Sequence, residues 1–336
     1  MIRLSTRKVK LDTLNKQILL ELLGNCRLSY GELGKRLGAG SQTIRRRLKR
    51  LITAKVIVDF NLIPTPAFFG EDEVMLLVKV DGYHSESTLL EVIGAHPRIY
   101  FGHTDLDGPL RFFAHFLNTT ELAEIGRYCR QQHGVKSVES HILLREPGRK
   151  CRLTSTDLKI LKWFWPNPRL SYRELARVSG SSSRRIRSLV KKILHPDGAI
   201  PPRFYHSASV SQYAMNSAPF IATISFHISS TTTNHTGCVL KIHYNDVTTD
   251  RFEVTRWLQR QFPDEYWYSY ASASAPVSFH LFTVDKIDRL DPVLDDIRQS
   301  PHITHAEALI PQQCRSFSPT YAEVQLEKLI HQTPVR

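Results

Sequence analysis

Five basic side chains, Arg45, Arg46, Arg47, Lys49 and Arg50, crowd into the segment SQTIRRRLKRL from Ser41 to Leu51, beside Gln42 and Thr43. Guanidinium and carboxamide groups make paired hydrogen bonds to base edges, Arg to guanine and Gln to adenine, whereas Lys and Arg also neutralise phosphates. Ile44, Leu48 and Leu51 recur at the spacing of one helical face. On a helical wheel Gln42, Arg46 and Lys49 stand opposite that face, Thr43 and Arg45 flank it, and Arg47 falls nearer the core side. An isolated solvated helix has the same pattern, so its setting and recurrence decide what the charge is for.

The segment recurs. A shift of 142 places Arg27-Leu28-Ser29-Tyr30 on Arg169-Leu170-Ser171-Tyr172, Glu32-Leu33 on Glu174-Leu175, Gly38 on Gly180 and Ile44-Arg45 on Ile186-Arg187, without a gap from Leu11/Leu153 to Ile52/Leu194. Such an ungapped match is an internal duplication. Charge follows it: residues 1–60 hold 14 Lys+Arg against 4 Asp+Glu, and residues 145–203 hold 15 against 4. With +13 on the whole chain, the remainder is net negative. Two modules are therefore suited to a polyanion and two are not.

Each basic copy must position its charged segment, and its periodicity reads as three helices. The first carries Leu14, Ile18, Leu19 and Leu22, or Ile160, Leu161 and Phe164 with Asp157 in its first turn. A short second helix opens on a Ser N-cap, Ser29 or Ser171, with Glu32 or Glu174 three residues on. Gly34 and Ala176 permit a close crossing, a turn at Gly38 or Gly180 follows, and the third helix starts near Ser41 or Ser183. This is a helix-turn-helix layout, in which the N-terminal half of the last helix reaches base edges. The candidates for base reading are Gln42, Thr43, Arg45 and Arg46, with Arg184, Arg185, Arg187 and Ser188 in the second copy. Lys49, Arg50, Lys191 and Lys192 are candidates for phosphate contact. Val56–Phe60 and Ala199–Phe204 read as short wing strands, the second thinned by Pro201 and Pro202. The modules span 1–62 and 150–205.

The acidic segments repeat more weakly. Val74–Val80 and Phe220–Phe226 read as first strands, Leu110–Phe116 and Val277–Thr283 as third strands, and Val138–Leu144 and His305–Ile310 as last strands. Helices at Ser87–Ala95, Thr120–Gln132, Arg251–Phe262 and Lys286–Gln299 complete the order βαββαβ twice. The chain is thus α+β: two winged helix-turn-helix units alternate with two ferredoxin-like units at 70–147 and 216–315. An insertion loop is expected around 229–248, and 316–336 is a tail. In EYWYSYAS, residues 265–272, alternation puts Tyr266, Tyr268 and Tyr270 on one face and Trp267 on the other, which suits sheet-to-sheet packing.

Five widely separated cysteines without a C-x-x-C fit free thiols, and no apolar run approaches a membrane span, so a cytoplasmic protein without a membrane partner is expected. No phosphate-cradling glycine loop, metal spacing or nucleophile motif is evident, and no cofactor is expected.

The duplicated motifs resemble the Lrp/AsnC (feast/famine) transcription regulators, most specifically over LDTLNKQILLELLGNCRLSYGELGKRLGAGSQTIRRRLKRLITAKVI and LTSTDLKILKWFWPNPRLSYRELARVSGSSSRRIRSLVKKIL. The resemblance implies a non-enzymatic DNA-binding regulator, double-stranded DNA as partner, homo-oligomers through the effector units, and a small-molecule effector. Ala39 and Ser181 stand where the family has an aliphatic residue after the turn glycine. His103–Gly108 and Ala271–Ala275 replace its Thr-Gly-x-x-Asp, which argues against amino-acid sensing. The alternative is the siroheme decarboxylases, enzymes similar in layout, for which His103, His115, His227 and His280 lie in or beside the strands where a tetrapyrrole pocket would form.

Overall fold

The computed structural model describes residues 8–82, 85–106, 108–144, 151–194, 218–228, 231–317 and 320–331. Its first helical unit comprises α1 (Thr13–Gly24), α2 (Tyr30–Leu37) and α3 (Ser41–Thr53). Asp12 caps α1 by accepting from the Asn15 backbone N–H, and Ser29 and Glu32 form a reciprocal capping box on α2. Gly38 ends α2 at φ 62°, a left-handed conformation that glycine adopts without a Cβ penalty. A Cβ on Gly34 would lie 2.5 Å from the Ala39 carbonyl oxygen, which is why the crossing into α3 needs a residue without a side chain there. Ile44, Leu48 and Leu51 are buried, each stabilising the unit by roughly 1.5–3 kcal/mol.

The second helical unit repeats this with α7 (Ser155–Phe164), α8 (Tyr172–Ser179) and α9 (Ser183–Leu194). Thr154 and Asp157 cap α7, Ser171 and Glu174 cap α8, and Gly180 ends it at φ 64°. Leu189, the counterpart of Arg47, is buried on α9, as the wheel requires.

Between the helical units lie β1 (Ile57–Pro64), the short α4 (Pro66–Phe69), β2 (Asp72–Val80), α5 (Glu86–Gly94), β3 (Ile99–Asp105), β4 (Leu110–Phe116), α6 (Thr119–Arg130) and β5 (Val135–Ile142). After α9 follow β6 (Phe220–Phe226), β7 (Thr236–Tyr244), α10 (Arg251–Gln261), β8 (Tyr266–Ala271), β9 (Val277–Val284), α11 (Leu290–Arg298), β10 (Ile303–Leu309), β11 (Pro311–Ser316) and α12 (Tyr321–His331). The strands form antiparallel sheets of order β11-β3-β4-β2-β5 and β10-β7-β9-β8, and a ribbon in which β1 pairs with β6.

Two expectations change here. The 229–248 segment contains β7, a central strand of the second sheet. Phe220–Phe226 is a strand but pairs outside that sheet, with β1, from Pro64↔Phe220 to Phe60↔Ile224. The register between the halves therefore grows before β6, across 195–217, which lies outside the described residues, as does the expected second wing at Ala199–Phe204. Sequence similarity alone could not separate two adjacent apolar strands competing for one place in a sheet. Thr233 and Asn234 in the supposed loop instead anchor the N-terminus: Val9 bridges Thr233, and the Asn234 carboxamide oxygen accepts from the Leu11 backbone.

The two sheets pack face to face. On β2, Val74, Leu76 and Val78 meet α5 and α6, while Met75 and Leu77 meet Val239, Val277 and Phe279 of the other sheet. Burial on both faces explains the unbroken apolar run. Phe113 and Tyr270 lie 6.0 Å apart between ring centroids, Arg111 and Asp105 form a fully buried bidentate pair, and Lys241 reaches Glu139 across the seam at 3.0 Å. Tyr270 thus packs as expected, but strict alternation fails. A bulge between Tyr266 and Tyr268 turns Tyr266 towards Phe262 and Phe282 on the helix side. Trp267 stacks on Phe226, 5.5 Å away, under the Lys16 ammonium.

Candidate nucleic-acid interface

On α3, Gln42, Arg45, Arg46, Lys49 and Arg50 are exposed and Thr43 is half-buried. Among the described residues no side chain is hydrogen-bonded or ion-paired to those five exposed groups, so the helix presents four unneutralised cations and a carboxamide along one outward face. Arg47 is different: its guanidinium meets the α1 cap Asp12 at 2.7 Å. Burial pushes the Asp12 carboxyl up, but Arg47 and the Asn15 N–H hold it below the ordinary aspartate range. Arg47 therefore locks α3 to α1.

On α9, Arg184, Arg187, Ser188 and Lys191 are exposed. Arg187 lies 5.9 Å from the Tyr172 ring. Arg185 and Lys192, candidates for base and phosphate contact, are turned inward to Asp157, at 2.6 and 3.0 Å. Arg185 also donates to the Thr154 hydroxyl, and Lys192 to the Arg152 carbonyl. Burial raises the Asp157 pKa, yet the Thr154 backbone N–H and the Lys192 ammonium outweigh it and keep the carboxyl below its usual range. These two cations bind a buried anion of their own chain while their side chains stay 41% and 38% exposed. The signal was present in the repeat: Asn15 and Thr43 of the first unit become Asp157 and Arg185 in the second, a neutral pair exchanged for a charged one.

Arg27 and Arg169, met in the sequence only as markers of duplication, join the helical units. Arg27 donates to the Pro168 carbonyl and lies over the Phe164 and Tyr172 rings at 4.9 and 5.2 Å. Arg169 lies 4.8 Å over Phe60 of β1. The α1 helix is sewn to the ribbon by Cys26 N–H to Ala222 O and Thr223 Oγ1 to Leu23 O, and to the second sheet by Lys16, which donates to the Pro263 and Asp264 carbonyls. The two presented faces are thus carried on one framework.

The four strand histidines do not converge. His280 is buried, bonded to Ser278, and pushed down to about 3 by burial. His103 lies beside Cys314 at 3.0 Å and is pushed down to about 2 by burial and Arg111. His227 is exposed. His115 borders a cavity of about 1050 Å³. Among the described residues no three His, Cys, Asp or Glu side chains are grouped to hold a metal ion, and no helix is long and apolar enough to cross a membrane.

The profile of the AsnC-type helix-turn-helix domain matches residues 11–52. An uncharacterized HTH-type transcriptional regulator of Pyrococcus horikoshii is 29% identical over 147 residues, 41% of this chain and 89% of that one. The HTH-type transcriptional regulator Ptr1 of Methanocaldococcus jannaschii is 37% identical over 67 residues, 20% of this chain and 45% of that one. In fold, the chain is similar to the siroheme decarboxylase NirDL, with a TM-score of 0.55 at 13% identity over 95% of this chain and 99% of that one. Escherichia coli AsnC aligns with 43% of this chain and 99% of its own at 20% identity and a TM-score of 0.34. The chain carries an AsnC-type helix-turn-helix domain, formed by α1 to α3, and is a homologue of HTH-type transcriptional regulators.

Proposed function

We propose that the protein is a sequence-specific DNA-binding transcription regulator that reads duplex DNA with two unequal winged helix-turn-helix heads in one chain. The observation that carries this reading is the outward face of α3, where Gln42, Arg45, Arg46, Lys49 and Arg50 stand exposed on a helix whose opposite face is fully buried. Gln42, Thr43, Arg45 and Arg46 would address base edges, and Lys49 and Arg50 phosphates. In the second head the same work falls to Arg184, Arg187 and Ser188, with Lys191 at the backbone. The β1–β6 ribbon and the packed sheets do for one chain what a symmetric interface does for a dimer. The heads are not identical, so the preferred site has two dissimilar halves. Selection from a random duplex library followed by footprinting tests this: an asymmetric site is expected. Recovery of a perfect inverted repeat at one chain per site would overturn it.

A second reading, siroheme decarboxylation, is favoured by the near-complete fold correspondence with NirDL. The cavity at His115 is the place such a substrate would occupy. Its lining nevertheless carries Asp59, Glu323 and Glu327 as carboxylates, with Glu73 pushed up to about 8 by burial, against a single ammonium, Lys162, the wrong sign for a tetrapyrrole bearing many carboxylates. Incubation with siroheme followed by ultraviolet-visible spectroscopy separates the readings: a tight tetrapyrrole spectrum without DNA binding would favour the enzyme, and loss of carboxylates from the bound tetrapyrrole would establish it.

A further inference from the structure

Two equivalent turns meet where the helical units adjoin. In each, an asparagine side-chain oxygen accepts from the backbone N–H two residues on, Asn25 from Arg27 and Asn167 from Arg169, so both arginines leave the same kind of turn. Their destinations differ. Arg27 crosses to the second unit, where its guanidinium donates to the Pro168 carbonyl and lies over the Phe164 ring of α7 and the Tyr172 ring that opens α8. Arg169 turns instead to Phe60 of β1. The Tyr172 ring is shared, because the outward-facing Arg187 of α9 lies 5.9 Å from it. Tyr30 and Arg45 hold the matching positions of the first unit, but among the described residues no ring lies under Arg45. The second head is therefore linked to the first through one of its own candidate base readers, and the first head has no such link.

We propose that Arg27 is a positioning residue for DNA reading, one that fixes the second helical unit at a single separation from the first and, through Tyr172, sets the direction of Arg187. The inference deepens the DNA-binding reading and rests on it. A guanidinium suits the task because it is planar and always charged: its N–H edge takes a carbonyl while its faces take aromatic rings, a combination that a lysine ammonium does not offer. Phe164 is fully buried in the core of the second unit, so Arg27 is anchored to a packed body. Its own turn is anchored too, since the adjacent Cys26 N–H donates to the Ala222 carbonyl of β6. The α1 and α9 helices both pack on β6, and Arg27 joins the units at a second place. Two attachments leave one relative placement where a single one would leave a hinge about the ribbon. Heads held in this way meet a duplex at one half-site separation, because an insertion of about 5 base pairs carries the second half-site to the opposite face of the DNA.

Hydrogen exchange of the free full chain reads the lock without DNA: the segment 165–175 should exchange several-fold faster in Arg27→Ala than in the parent. Affinity is then measured on the selected duplex and on versions with up to about 5 base pairs, half a helical turn, inserted between its halves. The parent should lose at least tenfold across the series. Arg27→Ala should lose about threefold or less, because a looser connection lets both heads reach altered sites, and it should keep the base preference of the first half-site. Tyr172→Ala should relax preference at the base position that Arg187→Ala identifies, and Tyr172→Phe, which keeps the ring face, should retain it. If circular dichroism shows that Arg27→Ala does not fold, Arg27→Lys, which keeps the charge without the planar fork, should give the same changes at smaller size. Unchanged exchange in Arg27→Ala, a spacing dependence as steep as the parent's, or a base preference indifferent to Tyr172→Ala would overturn the proposal. A parent that prefers no duplex sequence would sink the DNA-binding reading itself and the spacing with it, and the exchange result alone then decides whether Arg27 holds the units together.

Discussion

Replacing Arg46 and Arg185 one at a time by Ala separates a side chain that faces outward from one that holds its own helix. Arg46 is exposed and no side chain among the described residues pairs with it, so its loss should leave stability within about 0.5 kcal/mol of the parent. On the selected DNA site it should cost roughly 1–3 kcal/mol, about 5- to 150-fold in affinity, with preference relaxed at one base position. Arg185 contacts a carboxylate that is 1% exposed but is itself 41% exposed, and Asp157 retains Lys192 when Arg185 is gone. Discounting the charge-assisted bond for solvent leaves about 1 kcal/mol of stability, with site preference unchanged. Fluorescence anisotropy on the selected and a scrambled duplex, at two salt concentrations, together with urea unfolding, measures both quantities. Loss of site preference in Arg185→Ala without loss of stability, or equal losses on both duplexes in Arg46→Ala, would refute the division of labour.

Arg111→Ala strands Asp105 as a buried unpaired charge between the sheets and should cost about 3–5 kcal/mol by urea unfolding, whereas Arg111→Met with Asp105→Leu should recover most of it. Gly34→Ala drives a Cβ into the Ala39 carbonyl and should cost about 1–3 kcal/mol, read as a lowered Tm, while Ala176→Gly in the second unit should change stability far less. Glu73 has its folded pKa raised from 4.5 to about 8, so the folded state binds the extra proton and stability falls as pH rises through that window. Glu73→Gln should flatten stability against pH between 5 and 8, and an unchanged profile would show that the carboxyl is not held neutral.

Helices were legible because their signals are local. The Ser29/Glu32 and Ser171/Glu174 caps, the glycines at Gly38 and Gly180 and the apolar faces of α3 and α9 each lie within a dozen residues. Strand existence was nearly as clear. Partnership was not: Phe220–Phe226 and Thr236–Tyr244 are both apolar enough for the second sheet, and only long-range pairing assigns β7 to it and β6 to β1. The site divided likewise. Which side of α3 points outward follows from spacing, but the capture of Arg185 and Lys192 by Asp157 depends on how α7 meets α9. The cavity gathers residues from Val58 to His331, a separation at which periodicity carries no information.

The ribbon sets a timetable for folding. Phe60 pairs with Ile224, 164 positions later in the chain, and α1 packs its inner face on the same late strand. At about 5–20 residues per second, synthesis leaves β1 without its partner for roughly 10–30 s after it leaves the ribosome. During that interval an unpaired edge and the apolar side of α1 are both on offer to other nascent chains. A fragment ending after the first sheet would carry this deficit permanently, and a second copy of itself is the nearest source of a matching strand. Carrying β1 and β6 on one chain thus converts a search among molecules into a wait within one, and makes the later strand the chaperone of the earlier.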